Sequence, residues 1–111
     1  MQELKKNKTL RELEVGSNDY KVEGARAAAD LLTTNQNLMY LNLGDNRIED
    51  EGAIALSEAL PYNHSLLYLL IQECMIGDEG IKHIALALQN PHHQLQELNI
   101  NSNNIYPFFK L

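Results

Sequence analysis

The sequence predicts an α/β fold: a right-handed solenoid with a parallel sheet on its concave face and helices on its convex face. The first observation is an apolar pattern that occurs four times, L-x-x-L-x-Z-x-x-N or -C, in which Z is leucine, valine or isoleucine. Its copies begin at Leu10, Leu38, Leu66 and Leu95, at intervals of 28, 28 and 29 residues. The second observation is a helical pattern that follows each of the first three copies. A unit of this length cannot bury both of its apolar faces alone, so the units must stack.

The apolar copies predict four short strands, at residues 12–15, 40–43, 68–71 and 97–100. Within each copy the apolar residues alternate with others, which is typical of a strand with one buried face. The copies end at Asn18, Asn46, Cys74 and Asn103. We expect these side chains to bond unpaired backbone groups of the turn, with Cys74 as a small, weakly hydrogen-bonding substitute. The apolar residues two positions later should enter the core: Tyr20, Ile48, Ile76 and Ile105.

Three helices are predicted, over residues 22–34, 50–60 and 78–89. When the units are aligned on Gly24, Gly52 and Gly80, apolar or small residues recur one, four, five and eight positions later, as in a helix with one buried stripe. The glycines should let each helix approach its neighbours closely. Asp50 and Asp78 are expected to cap their own helices. Pro61 and Pro91 are expected to end the second and third helices.

The chain is predicted to form a single domain of residues 1–111. It divides into a partial repeat at 1–9, repeats at 10–37, 38–65 and 66–94, and a terminal partial repeat or cap at 95–111. The opening segment matches the end of a unit, because Leu4 and Asn7 precede Leu32 and Asn35 by 28 residues. At the other end, residues 106–111 break the pattern. They either fold over the open end as a cap or mark a cut in a longer chain.

Composition excludes several classes of function. A net charge of −6 argues against nucleic acid as a partner and favours a protein partner with a basic surface. The single cysteine cannot form an internal disulfide, which favours a reducing, cytoplasmic setting. The first residues do not resemble a signal peptide. No segment approaches the roughly 20 apolar residues that a membrane span requires, so no membrane partner is expected.

The strand signature, the 28–29 residue period and the G-x-x-x-L-x-x-x-L helices resemble leucine-rich-repeat proteins of the ribonuclease-inhibitor-like subfamily. The resemblance covers residues 4–105 and is clearest from Leu38 to Leu60. This subfamily includes the solenoids of NOD-like receptors and of Ran GTPase activators. The resemblance implies a protein-binding solenoid, often one that uses its concave face. Members usually carry more repeats than this chain, which implies a fragment or a short relative.

Strand alternation identifies the side chains of the concave face, where a partner would bind. They are Glu12, Glu14, Tyr40, Asn42, Asp45, Tyr68, Leu70, Gln72, Glu73, Glu97, Asn99 and Asn101. Tyr40 and Tyr68 occupy the same repeat position and should be neighbours. Leu70 is apolar where a polar residue would cost nothing. Aromatic anchors among acids form a plausible binding patch. The alternative is an ordinary solvated sheet face.

No constellation of residues predicts an enzyme, a metal site or a cofactor site. His64 and His92 fall in equivalent loops, but no carboxylates or cysteines complete a metal site with them or with His83 and His93. Cys74 falls on the turn position, where an inert structural thiol is expected. The sequence contains no phosphate-binding glycine motif.

The preferred hypothesis is therefore a non-enzymatic protein-interaction module that binds a partner on its concave face. One alternative is a structural segment of a larger innate-immune-type receptor or regulator. Another is a GTPase-activating protein of the Ran type, although neither Arg11 nor Arg47 lies clearly on the concave face. The open ends of a short solenoid also make self-association possible.

Overall fold

The computed structural model describes residues 1–105 and shows short strands alternating with helices. The strands are β1 (Glu12–Glu14), β2 (Tyr40–Asn42), β3 (Tyr68–Leu70) and β4 (Glu97–Asn99). The α-helices are α1 (Val22–Thr34), α2 (Glu49–Ala59) and α3 (Asp78–Leu88). Two 3-10 helices complete the order, Gln2–Lys6 before β1 and Leu60–Tyr62 after α2. Each strand is one residue shorter than predicted, and every α-helix begins and ends within one residue of its prediction.

The four strands form one parallel sheet in the order β1-β2-β3-β4. Equivalent residues of successive repeats pair in register, so that Leu13 lies beside Leu41, Leu41 beside Leu69 and Leu69 beside Leu98. The predicted fold class, an α/β solenoid with strands on one side and helices on the other, is confirmed.

The core lies between the sheet and the helices, and its side chains are most completely buried in the two middle repeats. Leu41 and Leu69 are fully buried on the inner side of the sheet, and Leu56 of α2 is buried opposite them. The corresponding Leu13 and Leu98 of the outer strands are only partly buried. The outer repeats therefore contribute less to the hydrophobic stabilisation than the inner ones.

Gly52 and Gly80 allow the close helix approach that the sequence predicts. A Cβ added to Gly52 would lie 2.8 Å from the Cβ of Ala25 on α1 and 2.6 Å from the Cβ of Ile48. A Cβ added to Gly80 would lie 3.0 Å from the Cβ of Ala53 on α2. A side chain at either position would force the helices apart, because Cβ atoms do not pack at these distances.

The prediction that Asp50 caps its own helix is wrong. Asp50 lies inside the first turn of α2, and its Oδ1 accepts hydrogen bonds from the N–H groups of Gly77 (2.7 Å) and Gly80 (3.0 Å) at the start of α3. Gly77 is the N-cap residue of α3, so Asp50 caps the next helix instead. Asp78 likewise lies within the first turn of α3 and not at its N-cap.

The sequence predicts that the apolar residue two positions after each turn asparagine or cysteine enters the core. This prediction is confirmed at Ile48 and Ile76, which are fully buried. Ile105 packs partly buried against the core. Tyr20 does not enter the core and remains 39% exposed, because it belongs to the first strand–helix unit at the edge of the sheet. The predicted terminal cap falls at residues 106–111 and lies outside the described residues.

Candidate functional site

Asparagine side chains after the strands join neighbouring repeats and fix the strands in register. We call Asn18, Asn46, Cys74 and Asn103 the turn column. Asn46 Oδ1 accepts hydrogen bonds from the N–H groups of Asn18 (3.1 Å) and Tyr20 (2.8 Å) in the preceding repeat. Its Nδ2 donates to the carbonyl oxygens of Val15 (3.1 Å) and Leu43 (2.8 Å). The amide therefore satisfies backbone groups of two repeats at once.

Asn103 makes the same arrangement of hydrogen bonds in the fourth copy of the strand pattern. Its Oδ1 accepts hydrogen bonds from the N–H groups of Cys74 (2.9 Å) and Ile76 (3.0 Å), and its Nδ2 donates to the carbonyl oxygens of Ile71 (2.8 Å) and Ile100 (2.9 Å). The prediction that asparagine at this position bonds backbone groups of the turn is confirmed for Asn46 and Asn103. Asn18, in the first repeat, donates to the carbonyl oxygen of Gly16 in its own turn.

Cys74 is fully buried in the same column, as expected for a structural thiol. Its Sγ lies 3.3 Å from the Leu43 carbonyl oxygen and 3.4 Å from that of Gln72. Burial raises the pKa of the Cys74 thiol, and hydrogen bonds from the backbone at Asn46 and Asp45 only partly oppose that rise. A buried thiol that resists ionisation is a poor nucleophile.

A second column, which sequence reasoning missed, lies where the chain enters each strand. We call Asn7, Asn35 and Asn63, which lie three residues before the first leucine of a copy, the entry column, and we include His93, which lies two residues before Leu95 and accepts a hydrogen bond from its N–H. Asn63 is 2% exposed, and its Nδ2 donates to the carbonyl oxygens of Leu32 (2.9 Å) and Asn35 (3.0 Å) in the preceding repeat. Its Oδ1 accepts hydrogen bonds from the N–H groups of Ser65 (3.0 Å) and Leu66 (2.7 Å). The 28-residue spacing of the three asparagines was the available signal.

With both columns holding the register, the predicted face is one continuous surface on the outer side of the sheet. We call this surface the strand face. Register pairing places its side chains in rows across β1 to β4. The first row is Glu12, Tyr40, Tyr68 and Glu97, and the second is Glu14, Asn42, Leu70 and Asn99. Polar or acidic residues therefore occupy the two outer strands, and the apolar residues lie on the two middle strands.

Tyr40 and Tyr68 are neighbours, as predicted. Their ring centroids are 6.3 Å apart and the ring planes are tilted by 50°. The Tyr40 hydroxyl donates a hydrogen bond to Glu14 Oε1 at 3.2 Å. Partial burial, followed by the hydrogen bond to and the charge of the Glu14 carboxylate, raises the pKa of the Tyr40 hydroxyl. The tyrosine ring is thus held in place from the acidic side of the face.

Two further apolar residues extend this surface towards the start of the strands. Met39 and Leu67 precede Tyr40 and Tyr68, and Met39 is 38% exposed. They contribute to a groove of about 280 Å³. Its lining residues are Arg11, Gln36, Asn37, Met39, Ser65, Leu67 and Gln94. We call Met39, Tyr40, Leu67, Tyr68 and Leu70 the apolar patch. Sequence reasoning missed Met39 and Leu67, because it considered only the outward positions within the predicted strands and the residues just beyond them, and these two residues precede the strands.

Gln72 and Asn101 form the next row with Gly44 and Gly16, beyond the apolar patch. The Gln72 side chain lies over Gly44, in space that a Cβ on Gly44 would occupy. Asn42 Oδ1 accepts a 2.8 Å hydrogen bond from the Gly44 N–H and lies 3.5 Å from Gln72 Nε2. Gln72 Oε1 is buried and has no hydrogen-bond partner among the described residues. Asn101 is exposed at the β4 end of the row.

Asp45 and Glu73 lie at the far end of the strands, in the turns that lead to the helices. Both adopt left-handed backbone conformations, with φ of 56° and 54°. Ser17 Oγ donates a 2.9 Å hydrogen bond to Asp45 Oδ2, and Arg47 Nε lies 4.0 Å from Asp19 Oδ1. All five side chains line an open cavity of about 330 Å³. Three carboxylates and one guanidinium therefore line this end of the face.

No cluster of three or more potential metal ligands occurs within residues 1–105. His64 and His92 do lie close together, since His64 Nδ1 is 2.9 Å from the His92 carbonyl oxygen. His93 Nε2 is 2.8 Å from the Leu88 carbonyl oxygen, and His93 Nδ1 accepts a hydrogen bond from the Leu95 N–H (3.0 Å). These rings bond backbone groups of the loops.

A family model described as Leucine Rich repeat matches residues 6–27, 34–57 and 62–85, which together exceed half of the chain. The chain belongs to the leucine-rich-repeat family. Each matched segment spans one strand of the sheet and part of the helix that follows. No curated protein matches the sequence. None of the helices within residues 1–105 is long and apolar enough to cross a membrane.

Two solved structures share the leucine-rich-repeat architecture. The structure titled Leiomodin-1 Actin-Binding Site 2 has a TM-score of 0.85 and 23% identity, over 92% of this chain and 60% of that chain. The Caenorhabditis elegans tropomodulin C-terminal domain has a TM-score of 0.71 and 17% identity, over 89% of this chain and 60% of that chain. The leucine-rich-repeat chain therefore spans about 60% of the length of each. At these identities the similarity is one of fold.

Proposed function

We propose that this chain is a non-enzymatic protein-interaction module of the ribonuclease-inhibitor-like type, acting in the cytoplasm, that binds a partner polypeptide on its strand face. The observation that carries the proposal is the apolar patch. Tyr40, Tyr68 and Leu70 lie on the solvent side of β2 and β3, and Met39 and Leu67 directly precede these strands. A central group of aromatic and aliphatic anchors with a polar rim is the usual arrangement of a binding hot spot.

The proposal is tested with a variant that removes the patch. The patch variant carries three substitutions together, Tyr40→Ala, Tyr68→Ala and Leu70→Ser. The patch variant and the wild-type chain would each be immobilised for affinity capture of partners, after circular dichroism has shown that both fold. The matched control is Tyr62→Ala, Leu86→Ser, which removes two exposed apolar side chains away from the strand face. We expect partners that the wild type and the control retain and the patch variant loses. Partners retained by the patch variant and lost by the control would overturn the proposal.

Actin is a second candidate partner, and one specific observation favours it. The leiomodin-1 structure, whose title names an actin-binding site, aligns with 92% of this chain at a TM-score of 0.85. Cosedimentation with actin filaments and fluorescence titration of labelled actin monomers would test this candidate. Binding that the patch variant loses would place actin on the strand face. Binding by neither form of actin would remove the candidate and leave the general proposal intact.

Two alternatives from the sequence remain open to experiment. A structural segment of a larger innate-immune-type receptor or regulator would stack on further repeats, and cooperative unfolding of this chain as an isolated monomer would count against it. A Ran-type GTPase activator would stimulate hydrolysis in at least one member of a panel of small GTPases. Arg11 and Arg47 are candidates for such a role, but Arg11 donates to the Lys8 carbonyl oxygen and Arg47 approaches Asp19, both at the ends of the strands.

Self-association through the open strand edges of β1 and β4 is a further, weaker proposal. If two copies stacked in the register that joins the repeats within one chain, Glu97 would lie opposite Glu12. Like charges directly opposite each other destabilise strand pairs, so this contact should be weak at low ionic strength. Light scattering at high protein concentration, with and without added salt, would detect it. A strict monomer under both conditions would exclude it.

A further inference from the structure

We infer that the strand face takes an extended basic segment whose central residue is an arginine placed over the Tyr40–Tyr68 pair. This inference rests on the proposed function and adds the chemistry of the occupant. Three features of the surface carry it: the distribution of charge, the geometry of the two rings, and the groove at the start of the strands, which has Met39 and Leu67 in its wall.

The charge of the strand face is almost entirely negative. Its carboxylates are Glu12, Glu14, Asp45, Glu73 and Glu97, and all of these residues are exposed. Two cationic side chains adjoin the described part of the face: Arg11 at the start of β1, and Arg47, which lines the cavity with Asp45 and Glu73 at the far end. The chain as a whole has a formal charge of −6, so much of its excess charge lies on this one surface. A positively charged segment is therefore attracted to the face and steered onto it.

The two rings can receive a cation. They are tilted by 50° with centroids 6.3 Å apart, and both side chains are partly exposed, so their faces are open to a partner. Register pairing places Glu12 beside Tyr40 and Glu97 beside Tyr68, one strand spacing of about 4.8 Å away on each side. A guanidinium over the rings would gain cation–π attraction and reach either carboxylate. Arginine fits better than lysine, because its planar group stacks on aromatic rings and pairs with carboxylates in two-point contacts.

The groove at the start of the strands determines which type of side chain the segment can place next to the arginine on the side that faces the sheet. Met39 and Leu67 supply its apolar wall. Leu70 extends the apolar surface on the other side of Tyr68. An extended segment that places arginine on the rings can place an apolar side chain against either surface, since side chains alternate along it. The expected ligand is therefore an arginine with an apolar residue two positions before or after it on the same side of the segment, and with further basic residues towards Asp45 and Glu73.

The test is a selection of random 12-residue peptides, displayed on phage, on the immobilised wild-type chain. We expect enrichment of arginine over lysine and depletion of acidic residues, with apolar residues close to the enriched arginine. Enriched peptides, made with a fluorescent label, should bind Tyr68→Ala and the double variant Glu12→Gln, Glu97→Gln about tenfold more weakly than wild type in anisotropy titrations. Raising the salt from 0.1 M to 1 M should weaken wild-type binding, because the Debye length falls from about 10 Å to about 3 Å.

The matched control is Glu58→Gln, which removes one exposed carboxylate from α2, away from the strand face. It should bind the peptides as tightly as wild type. Two results overturn the inference in different ways. Enriched peptides that lack basic residues but still depend on Tyr40 and Tyr68 would refute the basic occupant and leave the proposed function standing. Enriched peptides that bind the patch variant unchanged, or an absence of enrichment, would refute the inference and count against the strand face itself.

Discussion

The turn column and the entry column meet the same need at opposite ends of the strands, yet they use their amides differently. In the turn column both ends of the Asn46 amide reach the preceding repeat. In the entry column only Nδ2 of Asn63 reaches the preceding repeat. Its Oδ1 accepts a hydrogen bond from the Leu66 N–H, within the loop that leads into the next strand. A substitute in the turn column must therefore accept and donate across the interface. A substitute in the entry column can serve its own loop alone.

The two natural substitutions follow this distinction. Cys74 replaces asparagine in the turn column, and its sulfur contacts two carbonyl oxygens but offers no oxygen acceptor. Among the described residues, the Ile48 N–H accordingly has no counterpart to the hydrogen bond that the Tyr20 N–H donates to Asn46 Oδ1. His93 takes over part of the asparagine's role in the entry column and bonds Leu88 and Leu95, which lie at the two ends of the same loop between α3 and β4. The comparison predicts that the loss of Asn63 is costly, that Cys74 can be improved, and that the loss of His93 is mild.

The largest effect is expected for Asn63→Ala. The substitution removes four hydrogen bonds to backbone groups at a buried site and leaves the carbonyl oxygens of Leu32 and Asn35 without the amide donor that crosses between repeats. Buried backbone groups that lose their partners cost about 1–3 kcal/mol each. We expect the free energy of unfolding to fall by about 3 kcal/mol, measured by urea denaturation.

The control for this prediction is Gln89→Ala, which truncates an exposed polar side chain at the end of α3. It should change the free energy of unfolding by less than about 0.5 kcal/mol. A loss for Asn63→Ala as small as that of the control would show that solvent replaces the entry-column bonds, and the proposed importance of this column would fail.

The sequence predicts much of this architecture because equivalent positions recur in every repeat, so each repeat indicates where the elements of the others begin and end. The 28-residue period of the leucines locates every strand, and alignment on Gly24, Gly52 and Gly80 locates the helix bounds within one residue. The neighbouring positions of Tyr40 and Tyr68 follow from the same register. The strand-face residues are placed as predicted, but their role in binding stays a prediction.

What the sequence does not predict are the bonds between repeats. An aspartate near a helix start gives the same pattern whether it caps its own helix or the next one, so the bonds from Gly77 and Gly80 to Asp50 could not be foreseen. The asparagine spacing of the entry column was visible, but the partners depend on how closely two loops approach. The exposure of Tyr20 likewise depends on its place at the edge of the sheet and not on its position within the repeat.

An intermediate effect, opposite in sign, is expected for Cys74→Asn. Asn46 and Asn103 show that the column accommodates an asparagine. An amide at this position can accept from the Asn46 and Ile48 N–H groups and donate to the Leu43 carbonyl oxygen. We expect the free energy of unfolding to rise by about 1 kcal/mol, the net contribution of a buried hydrogen bond. Urea denaturation beside Cys74→Ala, which has no donor or acceptor and should be less stable than wild type, would check this. A destabilised Cys74→Asn chain would mean that this turn is shaped around the sulfur.

The wild-type chain and Cys74→Asn should also differ in how their stability changes at alkaline pH. Burial raises the pKa of the Cys74 thiol in the folded chain above its unfolded value. The folded chain therefore holds the proton more tightly, and this contribution is fully present below the unfolded pKa of about 8.5 and is lost as pH rises towards the folded value. Urea midpoints at pH 7.5 and 9.5 should fall further for wild type than for Cys74→Asn. The raised pKa of Tyr40 is common to both chains and cancels in the comparison.

The smallest effect is expected for His93→Ala. Its ring is partly exposed and its two bonds stay within one loop, so no contact between repeats is lost. We expect the free energy of unfolding to fall by no more than about 1 kcal/mol. The Leu95 amide, which loses its acceptor, should exchange its hydrogen faster, whereas the Leu66 amide that Asn63 holds should be unaffected. If His93→Ala instead weakened the whole chain as much as Asn63→Ala, the loop of the last repeat would be as important as the contacts between repeats. The distinction between the two columns would then fail.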